Sequence, residues 1–144
     1  MSILSIATSG LSAASLRVSV AASNIANVQT TGPLPASGGS GTSAVTGSSG
    51  IAPTFPAAYV PLRVDQVSQS SGTLASVSTV SPSFTAQYDA DAPFANQDGL
   101  VAAPNVDLVG EFVELQTAKY SFIANAKVIQ AYAETTDTLL DIKT

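Results

Sequence analysis

Apolar residues recur over the first thirty positions in steps of three and four: Leu4, Ala7, Leu11, Ala14, Val18, Ala21, Ile25 and Val28. That spacing marks one face of a helix, and its seven-residue repeat is the seam of a coiled coil. Alternate seam positions are alanine, Ile6, Ala13 and Val20 widen the apolar face, and Ser2, Ser5, Ser9, Ser12, Ser19 and Ser23 line the other side. Thr31-Gly32-Pro33 is a stop, because Gly suits a left-handed cap and Pro cannot continue a helix. The pattern predicts a helix over 2–30. A second series runs Leu108, Phe112, Leu115, Lys119, Phe122, Ala126, Ile129, Ala133, Thr136 and Leu140. Pro104-Asn105-Val106-Asp107 precedes it with a breaker, an N-cap and an acid for the first turn. This predicts a helix over 106–142.

Between the two, the pattern changes in kind. Pro33 to Gly50 holds five Gly, five Ser and no charge, which is linker composition. Val60, Leu62 and Val64 alternate with Arg63 and Asp65, and Leu74, Val77 and Val80 lie among Ser and Thr, as in short half-exposed strands. Two to four strands are expected. Four consecutive segments follow: an N-terminal helix and motif (1–32), a Gly/Ser/Pro-rich linker (33–56), a small β and loop region (57–104) and a C-terminal helix (105–144).

Composition sharpens this picture. Hydrophobic residues make up 45% of the 144, yet 23 are Ala, so large apolar side chains are scarce. Nothing between the helices can cover both seams, so the helices are expected to pair with each other and with other copies. The chain has no Cys and no His, which removes thiolate chemistry, disulfides, an imidazole base and the common zinc sets. A net charge of −5 speaks against nucleic-acid binding. No apolar run approaches the roughly 20 residues of a bilayer span, and the lone charge before Ser23, Arg17, does not form the basic start of a secretion signal. Arg17 on its Ser face is expected to meet an acid on another helix, such as Glu111 or Glu114. Asp89, Asp91 and Asp98 form an acidic run, but it lacks the Gly and distal Glu of a calcium loop. No catalytic residue, cofactor or metal is expected, and the chain does not read as an enzyme.

Two segments carry a resemblance. Ala22-Ser23-Asn24-Ile25-Ala26-Asn27-Val28-Gln29-Thr30-Thr31-Gly32, with Ser9-Gly10-Leu11 upstream, resembles the N-terminal signature of the bacterial flagellar rod and hook axial proteins. Asn105-Val106-Asp107-Leu108-Val109-Gly110-Glu111-Phe112-Val113-Glu114-Leu115, with Tyr120 and Ala124-Asn125-Ala126-Lys127-Val128-Ile129, resembles their C-terminal signature. The stretch from Tyr88 to Val106 is similar to that of the short proximal rod proteins. Pro33-Leu34-Pro35 departs from the aromatic or basic residue usual after the stop.

The resemblance implies a mainly α fold with a small β region, its long terminal helices paired as an antiparallel coiled coil. Between them lie the flexible Gly/Ser segment and a short β-hairpin region. It implies a structural subunit of the periplasmic rod of the flagellar basal body. Such a subunit polymerises with copies of itself and other rod proteins into a helical tube that transmits torque and encloses the export channel. Delivery would be through the flagellar type III export apparatus, uncleaved, with no membrane span and no nucleic acid. The alternative is a related chain forming its own homopolymeric tube. Leu4, Leu11, Val18 and Ile25 are expected to pack against Phe112, Leu115, Phe122 and Ile129, with Leu108 and Asn125 on the same assembly surface. Asn24 and Asn27 have two readings, inter-subunit hydrogen bonds or capping of the first helix.

Overall fold

The computed structural model describes residues 2–35 and 55–141. Residues 36–54 of the expected Gly/Ser/Pro-rich linker lie outside the described residues. The elements are α1 (Ile3–Ala26), β1 (Leu62–Gln69), β2 (Gly72–Thr79), β3 (Phe84–Tyr88), β4 (Leu100–Pro104) and α2 (Leu108–Asp141). The fold thus consists of two long helices, near the two chain ends, and two small two-stranded antiparallel sheets, β1–β2 and β3–β4.

Ser2 caps α1, its Oγ accepting the Leu4 N–H at 3.3 Å. The helix ends at Ala26, four residues short of the expected end at residue 30. The backbone beyond it is drawn into other pairing: Thr30 donates to Asn27 O at 2.9 Å, and its carbonyl accepts the Tyr59 N–H at 3.1 Å. Gly32 then forms a β-bridge with Ala102. At the start of α2 the cap is Asp107, whose Oδ1 accepts the Val109 N–H at 3.1 Å. Asn105, expected in that role, is used elsewhere: its Nδ2 donates to Pro82 O at 2.9 Å and its N–H to Ser83 O at 3.0 Å. Contrary to the sequence expectation, α1 is long and apolar enough to cross a membrane, because Ala and Ser barely oppose its Leu, Ile and Val.

The chain divides into two compact units. One comprises Ala26–Pro61 and Thr79–Val106. In it, β3 and β4 pair with Phe84 opposite Pro104 and Tyr88 opposite Leu100, while Gly32 bridges Ala102. Flanked in this way, Val101, Ala102 and Ala103 are buried. The β3–β4 connection is tied by Asn96, whose Oδ1 accepts the N–H of Asp98 and of Leu100. Asp89, Asp91 and Asp98 are exposed along it, and among the described residues no three His, Asp or Glu stand together as a metal site.

The other unit comprises Met1–Ile25, Leu62–Ser78 and Asp107–Thr144. It brings together α1, α2 and the β1–β2 hairpin, whose strands are joined by Ser70 and Ser71.

Candidate assembly interface

In this second unit α1 and α2 meet at three levels: Gly10 beside Asn125, Arg17 with Glu114, and Asn24 with Glu111. Numbers rise along α1 as they fall along α2, so the helices run antiparallel. A Cβ on Gly10 would lie 2.5 Å from Asn125 Oδ1, which makes Gly10 a point of close approach. The buried residues of α1 are Ala7, Ala13, Ala14, Val20, Ala21 and Asn24; in α2 the one buried residue is Ala118. Close approach therefore selects the alanine positions of the seam. The larger seam residues stand at its margins, with Leu11, Val18 and Ile25 half-buried and Leu4 exposed.

Arg17 is the cation of this surface. Its Nε and Nη2 engage the two carboxylate oxygens of Glu114, the second at 2.9 Å, in a bidentate pair. The hydrogen bond to Arg17 holds the Glu114 carboxyl below its ordinary range, against a smaller effect of burial, and Glu114 in turn raises the Arg17 guanidinium. Glu111 goes the other way. Burial raises its carboxyl, the Asn24 hydrogen bond opposes this, and Glu114 and Asp107 add to the rise by charge repulsion. Arg17, Arg63, Asp107, Glu111 and Glu114 line a cleft of about 290 Å³.

Asn24, with no exposed surface, is the node of the unit. Its Oδ1 accepts the Leu62 N–H at 3.0 Å, and its Nδ2 donates to Leu62 O at 2.7 Å and to Glu111 Oε1 at 2.6 Å. The amide thus pairs with the β1 backbone as a neighbouring strand would, and spends its other hydrogen on α2. Neither expected reading of Asn24 anticipated this link to a strand 38 residues on. Asn27 lies in the turn after α1, where its Oδ1 accepts the Thr30 hydroxyl at 3.3 Å. The far end of the hairpin rests on Ser9, whose Oγ accepts the Thr73 N–H at 3.1 Å. Gly72, at φ 132°, crosses close above Ser9 and has no room for a side chain.

On α2 the surface splits. Leu115, Asn125 and Ile129 are half-buried, as are Glu111, Glu114 and Ser121. Leu108, Phe112 and Phe122 are exposed, together with Val109, Val113 and Tyr120. Val109, Phe112, Val113, Gln116, Thr117 and Tyr120 line a shallow, largely apolar groove. Helix α2, with 34 residues against 24 for α1, is also longer by about 15 Å.

Comparison with known proteins matches residues 4–33 to the family model "Flagella basal body rod protein" and residues 97–142 to "Flagellar basal body rod FlgEFG protein C-terminal". The chain is similar to the flagellar basal-body rod protein FlgC of Salmonella typhimurium (strain LT2), 33% identical over 132 residues, covering 90% of this chain and 87% of that protein. The FlgC proteins of Escherichia coli O157:H7 (33%, 90% and 87%) and Agrobacterium fabrum (27%, 95% and 90%) are similar over comparable lengths.

Proposed function

From the premise that the chain belongs to the FlgC family of flagellar basal-body rod proteins, a structural subunit of the rod, we propose how its surfaces build that assembly. Helices α1 and α2 pair as an antiparallel coiled coil, closed inside the subunit by the alanine row, Arg17–Glu114 and Asn24–Glu111. The observation that carries the reading is the apolar stripe of Val109, Phe112, Val113 and Tyr120, exposed on the helix whose other side already faces α1, with Leu108 and Phe122 also exposed nearer the α1 side. A helix apolar on two sides has two partners, and an exposed stripe of this kind marks an interaction surface. Copies of this chain and other rod proteins cover it, and Leu4, Leu11, Val18, Ile25, Leu115, Asn125 and Ile129 contribute from the margins of the helix pair.

Repetition of that contact gives a tube with a continuous helical layer, able to transmit torque and to surround the export channel, which the subunits reach through the flagellar type III export apparatus. The role is mechanical, with no catalytic step, cofactor or nucleic-acid partner. Helix α1 serves in protein packing and not as a membrane span; its ion-paired Arg17 and the polar node at Asn24 support that reading. The test is a chain carrying Phe112→Ser and Tyr120→Ser. It should keep a wild-type far-ultraviolet spectrum in solution and fail to enter basal bodies. Incorporation at the wild-type level would refute the assignment of this stripe.

A further inference from the structure

We propose that the outer stripe of α2 is received by the exposed hydroxyl face of α1 in a second copy of this chain, so that each subunit gives one helix face and takes another. The proposal rests on the reading of that stripe as an assembly surface and names its partner. The two helices are built alike. The row turned inward is Ala7, Ala14 and Ala21 on α1, and Glu111, Ala118 and Asn125 on α2. Two residues earlier in each repeat, about 200° around the helix, stand Ser5, Ser12 and Ser19 on α1 and Val109, Gln116 and Ile123 on α2, all of them exposed. Thr8, Ser15 and Ala22 complete the first row, and Val113 and Tyr120 the second, each keeping the three/four step of a coiled-coil face. Neither row holds a charged residue. Their lengths agree, about 26 Å on α1 and about 21 Å on α2.

Size decides the match. The α2 row is bulky, with Phe112 beside Val109, Val113 and Tyr120, and a ridge of large side chains packs into a groove of small ones. The hydroxyls of the α1 row are already served within their own helix. Ser5 Oγ donates to Ser2 O at 2.7 Å, Thr8 Oγ1 to Leu4 O at 2.8 Å and Ser12 Oγ to Thr8 O at 3.0 Å. That face therefore gives up its water without stranding these donors. Thr117, in the α2 groove, is served in the same way by Val113 O at 2.8 Å. Charge points to the same partner. Burying an unpaired charge is costly, so whatever covers the groove is uncharged along its length. The β1–β2 hairpin carries Arg63 and Asp65, and the β3–β4 connection carries Asp89, Asp91 and Asp98. The outer row of α1 carries none, whereas two α2 stripes together would set bulk on bulk. Because the two faces differ, the contact is heterologous, the kind that generates rings or open helical arrays.

The chain has no Cys, so introduced pairs report on one contact. Gln116→Cys is combined in turn with Ser5→Cys, Ser12→Cys or Ser19→Cys, and basal bodies carrying each chain are oxidised. Within one subunit the two sites face away from each other across helices whose axes lie about 8–10 Å apart, beyond the reach of a disulfide. At least one combination should give a ladder of dimers and higher covalent oligomers of the chain, and the single variants none. Dimers from Gln116→Cys alone would place α2 on α2 and overturn the proposal. Normal incorporation without a ladder in all three combinations would overturn it too, leaving a different protein on the groove. Should the Cys chains fail to incorporate, Ser12 decides. Ser12→Ala should enter basal bodies as wild type does, and Ser12→Lys at least about ten-fold less; any other ordering overturns the proposal. The chain with Phe112→Ser and Tyr120→Ser separates this inference from the reading beneath it. If that chain incorporates normally, the stripe is no assembly surface; if it is excluded and no ladder forms, only the choice of partner fails.

Discussion

Arg17→Met removes the cation that joins α1 to α2 while keeping much of the side-chain bulk. The pair is bidentate, but its two ends differ in exposure: the Arg17 side chain is 17% exposed and that of Glu114 41%. A hydrogen bond to a charged group is worth about 1.5–3 kcal/mol when buried, and an exposed ion pair about 0–1 kcal/mol. Glu114 can rehydrate once Arg17 is gone, so the loss falls between these limits, about 1–2 kcal/mol. With a urea dependence of about 1–3 kcal/mol per molar, the unfolding midpoint drops by about 1 M. The assay is urea unfolding of the full-length chain, followed by circular dichroism, for wild type, Arg17→Met, Glu114→Gln and the double variant. The cycle should return a coupling of about 1 kcal/mol at neutral pH. The pH dependence has a definite sign. The Glu114 carboxyl is lowered in the fold, so its contribution is present above the ordinary carboxylate value and lost as pH falls through the folded one. The penalty of Arg17→Met should therefore shrink on acidification. A coupling under about 0.3 kcal/mol, or a penalty that does not change with pH, would show that the Arg17–Glu114 pair does not hold α1 to α2.

Other outcomes follow from the same unit. Gly72→Ala places a side chain at φ 132° against Ser9; it should destabilise the hairpin by about 1–3 kcal/mol and raise amide hydrogen exchange at Thr73. Asp107→Ala removes the cap of α2 and should lower stability by about 1 kcal/mol in urea, whereas Asn105→Ala should leave the start of the helix intact. For Glu111, whose carboxyl is raised by burial, ionisation opposes folding, so any stability its raised value contributes is present in acid and lost as pH rises. Glu111→Gln should then gain on wild type from acid toward neutral pH in unfolding titrations.

The terminal helices were legible because the three/four step of Leu4, Ala7, Leu11, Ala14 and Val18 is a local property of the chain, and the hairpin because its strands alternate. The inner face of the helix pair was harder to read. Periodicity marks Leu11 and Ala14 as equals, but distance separates them, and the tight approach at Gly10 buries the alanines and leaves the leucines at the margin. On α2 Leu108, Phe112 and Phe122 of the apolar series stay exposed, while Glu111 and Glu114 each hold a polar partner on α1. The helix ends early, and the link from Asn24 to β1 is invisible in the local pattern, for a common reason: the partners Leu62, Tyr59 and Ala102 lie far along the sequence. One signal was present. Ala7, Ala14 and Ala21 lead in the next short step to Asn24, and a polar residue at the end of a row of small buried ones points to a buried partner. Strand β4 was hidden by Pro104, which reads as a breaker and stands at the end of the strand opposite Phe84.

In the proposed rod, α1 pairs with α2 inside each subunit while the outer stripe of α2 binds a neighbour. A reconstruction of purified basal bodies at side-chain resolution tests it most directly. Asn24 should be enclosed between Leu62 and Glu111 of its own chain, with Phe112, Val113 and Tyr120 covered by an adjacent subunit of the helical layer. A rod in which that stripe faces solvent, or in which Glu111 bonds to a different chain, would contradict it.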